Sequence, residues 1–123
     1  MSKVLIIDND PLLCDTLKMA AEGAGHTVKL AQNGREGIEI FETFGPDVVV
    51  TDILMPEKEG METIVELRRI NPDVPIIAMS GAAPAGNISF LRIAQKLGAN
   101  KTLSKPFAMT DFTAAIAAVA KKK

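Results

Sequence analysis

A chain of 123 residues with 47% hydrophobic content is the size of one domain and carries enough apolar side chain to fill a core. A formal net charge of −1, with five Phe and no Trp or Tyr, offers neither a basic field nor stacking platforms, so no direct nucleic-acid partner is expected. The single cysteine, Cys14, allows no internal disulfide, the start MSKVLIIDND is too short and too quickly acidic for a signal peptide, and no apolar run reaches bilayer length. The expectation is one cytoplasmic domain over residues 1–123 with no membrane insertion.

Short apolar runs alternate with stretches of helical period along the whole chain. KVLII (3–7) opens the series as a strand, and Asp10-Pro11 then supplies an N-cap and a first-turn proline for a helix whose apolar face is Leu13, Leu17, Ala20 and Ala24. EGAGH ends that helix, and TVKLA (27–31) is the second strand. Ile38, Phe41 and Phe44 mark the next helix, FGPD its exit, and DVVVT (47–51) the third strand. Met61, Ile64 and Val65 mark the third helix, followed by NPDVP and the strand PIIAM (75–79). A fourth helix ends at LGAN before KTLS (101–104), and Phe112, Ile116 and Val119 line the last helix, whose carboxyl end the terminal KKK complements. Runs one, three and four are apolar almost without break, as strands covered on both faces must be. Five βα units of this kind predict an α/β fold, a doubly wound five-stranded parallel sheet with helices on both faces.

In such a sheet the ligand site lies beyond the carboxyl ends of the strands. Asp8 and Asn9 follow the first strand, Asp52 the third, Ser80 the fourth and Lys105 the fifth, so all five reach one edge. Carboxylates gathered there repel unless they share a cation, and oxygen-only ligands suit Mg²⁺. With a hydroxyl and a lysine added, the set matches the needs of phosphoryl transfer: an acceptor oxygen, positive charge on the equatorial oxygens, and hydrogen-bond donors. An aspartate can be the acceptor, forming an acyl phosphate.

VLIIDNDPLL, VVVTDILMPEKEG, IIAMSG and LSKPF, in this order, resemble the receiver domain of two-component response regulators, over essentially the whole chain from Lys3 to the last helix. The resemblance implies a flavodoxin-like (βα)5 fold with strand order 2-1-3-4-5. It implies that Asp52 is the phosphoacceptor, that Asp8 belongs to the metal site, that Ser80 is the switch hydroxyl and that Lys105 contacts the phosphoryl group. The backbone carbonyl of Leu54 would complete the metal shell. Three features depart from the family pattern. Asn9 stands where a second acid is usual, which keeps an oxygen ligand but weakens Mg²⁺ binding. Thr102 replaces the switch aromatic three residues before Lys105. AAPAGN (82–87) lengthens the loop ahead of the fourth helix.

The implied function is a stand-alone phosphoacceptor module in a two-component system or phosphorelay. It would take a phosphoryl group from a sensor histidine kinase or a histidine phosphotransfer protein and act on a downstream protein partner. Self-dephosphorylation is not turnover of a separate substrate, so no enzyme is expected. Two alternatives stand beside this reading. A haloacid-dehalogenase-type phosphatase would use Asp8 as nucleophile, since LIIDND also fits a strand followed by D-x-D; against it, Pro11-Leu12 replaces the small residue and Thr or Ser of that motif, no acidic pair follows Lys105, and a cap domain is missing. A degenerate receiver would bind partners without phosphorylation, as Asn9 and Thr102 suggest. Asp10 reads as a helix cap, His26 as a solvated turn residue and Cys14 as a packed thiol. The fourth helix carries Ile88 and Leu91 on one side and Phe90, Ile93 and Leu97 on another, and the second side suits a docking face for a partner or a homodimer.

Overall fold

The fold follows from alternating side-chain direction in five strands, of which the central three are buried almost throughout. The computed structural model describes residues 2–53, 59–80 and 88–120. In chain order the elements are β1 (Lys3–Ile7), α1 (Pro11–Gly23), β2 (Thr27–Ala31), α2 (Gly34–Phe44), β3 (Val48–Asp52), α3 (Glu59–Ile70), β4 (Ile76–Ser80), α4 (Ile88–Leu97), β5 (Lys101–Ser104) and α5 (Met109–Ala120). All strand pairs are parallel and the sheet order is β2-β1-β3-β4-β5. This is the flavodoxin-like (βα)5 arrangement, with β1, β3 and β4 in its centre as their unbroken apolar runs predict.

Val4, Ile6, Val48, Val50, Ile77 and Met79 pack with α1 and α5 on one face. Their neighbours Leu5, Ile7, Val49, Ile76 and Ala78 pack on the other with residues of α2, α3 and α4. The two-residue period thus divides one sheet between two cores.

Two strands run one residue further than their sequence signal. Asp52 pairs with Met79, Ser80 pairs with Ser104, and the Ile53 N–H donates to the Met79 carbonyl at 2.9 Å, so the ladder continues through both polar residues. The predicted caps are present. The Asp10 side chain accepts from the N–H groups of Leu12 and Leu13 at 3.1 and 3.3 Å with Pro11 at the helix start, and α2 ends on Gly45 in the left-handed region. Cys14 is buried, as expected of a packed thiol.

His26 differs from expectation. It is half-buried and its Nδ1 accepts the Ser2 N–H at 3.1 Å, tying the start of the chain to the entry of β2. Burial lowers its pKa, because the charged imidazole would lose water there.

Arg68, near the end of α3, closes the opposite edge. Its Nε and Nη2 donate to the Gly98 carbonyl at 3.1 and 2.7 Å, Nη1 to the carbonyls of Val74 and Asn71 at 2.6 and 3.3 Å, and Nη2 also to Asn100 Oδ1 at 2.7 Å. One planar guanidinium therefore holds the exit of α3, the entry to β4 and the exit of α4 together. No described helix is long and apolar enough to cross a membrane.

Candidate functional site at the carboxyl edge of the sheet

The strand ends deliver the predicted residues to one place. Asp8 directly follows β1 and is fully buried, Asp52 is the last residue of β3 at 5% exposure, and Ser80 is the last of β4 at 2%. Lys105 follows β5, and its N–H donates to the Ser80 carbonyl at 2.8 Å, which fixes its backbone against the end of β4. Its Nζ stands 2.8 Å from Asp8 Oδ2 and 3.1 Å from Asp52 Oδ2. One ammonium thus bridges two carboxylates that come from residues 97 and 53 positions away.

Local structure holds Asp8 in this pose. Its Oδ1 accepts the Asp10 N–H at 2.9 Å, its own N–H donates to the Ala31 carbonyl at 3.0 Å, and its carbonyl accepts from Cys14 Sγ at 3.2 Å. Burial raises the pKa of Asp8, because the ionised form has lost its water, and the hydrogen bond from Lys105 offsets only part of this. Lys105 is pulled in both directions. Burial alone would lower its pKa, but the hydrogen bond to Asp8 and the charges of Asp52 and Asp8 outweigh it, so the net shift is upward and the ammonium is held charged. Cys14 is pushed up to about 11 by burial, with the charges of Asp8, Asp10 and Asp15 adding to the effect. A thiol so shifted stays protonated and serves as a donor, not a nucleophile.

Asn9 is exposed at the mouth of the site, while Asp10 spends its carboxylate on the start of α1. Among the described residues no group of three or more His, Cys, Asp or Glu side chains could hold a metal ion. The described carboxylates at this edge are the buried Asp8 and Asp52, with the exposed amide of Asn9 next to Asp8 in the chain, and oxygen donors of this kind would suit a hard divalent cation that keeps several waters. Thr102 is half-buried in β5 and pairs with Ala78. Leu54 and the 82–87 loop lie outside the described residues.

Two contributors carry no chemistry of their own and are hidden from a search for reactive side chains. A Cβ on Gly60 would overlap the Asp52 carbonyl oxygen and Ile53 Cα, so α3 begins against the strand end only because this residue has no side chain. Its place in VVVTDILMPEKEG is the one sequence signal for it. Beside Lys105, the side chains of Leu13, Pro106, Phe107 and Met109 line an open apolar notch of about 470 Å³. The Phe107 and Phe112 rings stack at 6.1 Å below it, and the Lys105–Pro106 peptide bond is cis.

A sequence model of the response regulator receiver domain matches residues 4–117. The chain belongs to the response regulator receiver domain family. It is 30% identical over 120 residues to the response regulator MprA of Mycolicibacterium vanbaalenii, covering 98% of this chain but 51% of that protein. The chain thus spans about half the length of the curated relatives it matches. Among solved structures, a receiver domain protein from Clostridium thermocellum superposes with a TM-score of 0.90 at 31% identity, covering 99% of this chain and 96% of the other. The receiver domain of the Francisella response regulator 1452 superposes with a TM-score of 0.86 at 27% identity, covering 99% and 98%. As a receiver domain the chain is a signalling module, and the strand order and the edge that gathers Asp8, Asp52, Ser80 and Lys105 agree with that membership.

Proposed function

We propose that Asp52 is the phosphoacceptor of a signalling switch, charged from a phosphohistidine of a sensor histidine kinase or histidine phosphotransfer protein. The observation that carries this reading is the Lys105 ammonium, 2.8 and 3.1 Å from the two buried carboxylates at the carboxyl edge of the sheet. An Asp52 oxygen forms a new P–O bond as the donor's P–N bond breaks, which yields an acyl phosphate. Lys105 places its fixed positive charge where the phosphoryl oxygens gather. The Ser80 hydroxyl, one strand away, donates to one of those oxygens and carries the chemical state of Asp52 into β4.

Asp8, Asn9 and Asp52, with the Leu54 carbonyl, would hold Mg²⁺, which supplies further charge neutralisation on the phosphoryl oxygens when bound. The apolar notch of Leu13, Pro106, Phe107 and Met109 gives a donor protein a surface beside the acceptor. The effect passes to a downstream protein in the cytoplasm.

Treatment with a small phosphodonor and Mg²⁺, followed by intact-mass analysis, tests the assignment. The wild-type chain gains one phosphoryl group, Asp52→Asn gains none, and Lys105→Arg gains it more slowly. Uptake by Asp52→Asn together with loss in Asp8→Asn would instead make Asp8 the nucleophile, as the dehalogenase-type alternative requires. Absence of uptake by every form leaves the phosphorylation-independent receiver.

A further inference from the structure

Between α3 and α4 lies a groove of about 400 Å³ lined by Met61, Val65 and Leu97, with Glu62, Glu66 and Arg69 along its α3 side. Val65 is 38% exposed, and Ile93, one turn before Leu97 on α4, is 45% exposed. Two branched aliphatic side chains left in water beside one groove form a patch and are not scattered singles.

Among the described residues, and apart from Arg69 at the carboxyl end of α3, the exposed charges are acidic on α3 and basic on α4. Glu62 and Glu66 stand one turn apart on α3, and Arg92 and Lys96 stand one turn apart on α4, all four exposed. Among the described residues, none of the four forms an ion pair within the chain. The Arg68 clamp sets their levels. Its bonds to the Gly98 carbonyl at 3.1 and 2.7 Å place residue 68 beside residue 98. Both helices are crossovers on one face of a parallel sheet and so run the same way. Two residues back, Glu66 is level with Lys96; six residues back, Glu62 is level with Arg92.

We propose that this face binds a second copy of the chain about a two-fold axis running along the groove. Rotation about that line lays α3 of each copy on α4 of the other and leaves the level along the helices unchanged. Glu66 then meets Lys96 of the second copy and Glu62 meets Arg92, each pair occurring twice, while Val65 and Ile93 enter an apolar seam between them. Arg69 lies level with Ala99, outside the paired charges. A two-fold axis across the groove would instead stack α3 on α3 and α4 on α4, and the second contact would set Arg92 and Lys96 against their own copies. Charge sorting thus selects both the occupant and its orientation. The pairing does not depend on phosphorylation of Asp52.

Sedimentation of the 123-residue chain from ~10 μM to ~1 mM, at low and high salt, tests this. A two-helix face is at the small end of specific interfaces, so the expected result is a concentration-dependent dimer that weakens as salt rises. Glu66→Lys and Lys96→Glu each weaken it by about tenfold or more, by setting like charges opposite one another. The double variant Glu66→Lys/Lys96→Glu restores the wild-type affinity, because both pairs are reversed together. Circular dichroism checks that each variant is folded. A chain that stays monomeric at ~1 mM, which would leave the face to a different protein, overturns the proposal. So does a dimer indifferent to the single reversals, or a double variant as weak as the singles.

Discussion

Replacing Lys105 with Met keeps the stem against Leu13 and Phe107 and removes the ammonium that two carboxylates share. The side chains of Lys105, Asp8 and Asp52 are 18%, 0% and 7% exposed, so solvent does little to screen the charges left behind. Removing one partner of a buried pair costs roughly 3–5 kcal/mol. Here two carboxylates lose the same cation, but one of them can take up a proton, which places the expected loss near ~3 kcal/mol at pH 7 in metal-free buffer. For a chain of this length that is a fall in melting temperature of about 10 °C.

The pH dependence has a definite sign. Asp8 already has a raised pKa in the folded wild type because it is buried, so its contribution to stability is greatest below its unfolded value of 3.8 and declines as pH rises through the folded value. Without Lys105 the folded pKa of Asp8 rises further. Acidification from pH 7 toward pH 5 must therefore narrow the gap between variant and wild type. Urea unfolding at several pH values, with chelator present and m-values compared, measures it. A variant as stable as wild type at pH 7, or a gap that widens on acidification, would refute the view that Lys105 is the counter-ion of this pair.

Gly60→Ala puts a methyl group into the Asp52 carbonyl and the Ile53 backbone, atoms that cannot rotate aside, so a loss of about 1–3 kcal/mol in chemical unfolding is expected together with slower phosphoryl uptake. Normal uptake by this variant would mean that α3 can retreat without moving the acceptor. Asn9→Asp restores a charged ligand at the mouth of the site and should tighten Mg²⁺ about tenfold, or ~1.4 kcal/mol, in a calorimetric titration. Unchanged affinity would show that water or Asp10 already compensates for the amide.

The strands, the helix faces and the edge on which the site lies were legible because each rests on a local pattern. The unbroken apolar run in DVVVT, period three to four in the helices and Asp10-Pro11 at a helix start are all readable within a few residues. Asp52 and Lys105 were legible as strand-end charges, but the bridge from the Lys105 ammonium to Asp8 and Asp52 joins residues 97 and 53 positions apart, which no periodicity encodes. Arg68 was invisible for the same reason. A cation in the last turn of a helix reads as a solvated charge favoured by the helix dipole, and only the fold brings the carbonyl of Gly98 to it. His26 likewise reads as a turn residue until the Ser2 N–H arrives. Asp10 posed the opposite problem. Its type suits both a cap and a metal ligand, and geometry assigns its carboxylate to the helix.

The guanidinium of Arg68 also sets the mechanics of α4. A rod of ten residues is about 15 Å long, and this one is pinned at its carboxyl end to the corner shared by α3, β4 and β5. Any tilt of α4 is then a swing about a hinge and not a slide. A rotation of about 10° carries the amino end some ~2.5 Å sideways over that length while the carboxyl end stays in place. The lever's long arm points toward the end of β4, where Ser80 sits, and its fulcrum lies at the far edge of the sheet. A push at the amino end is therefore turned into a rotation of the whole helix, with its pivot set by a residue at the opposite edge of the sheet from Ser80.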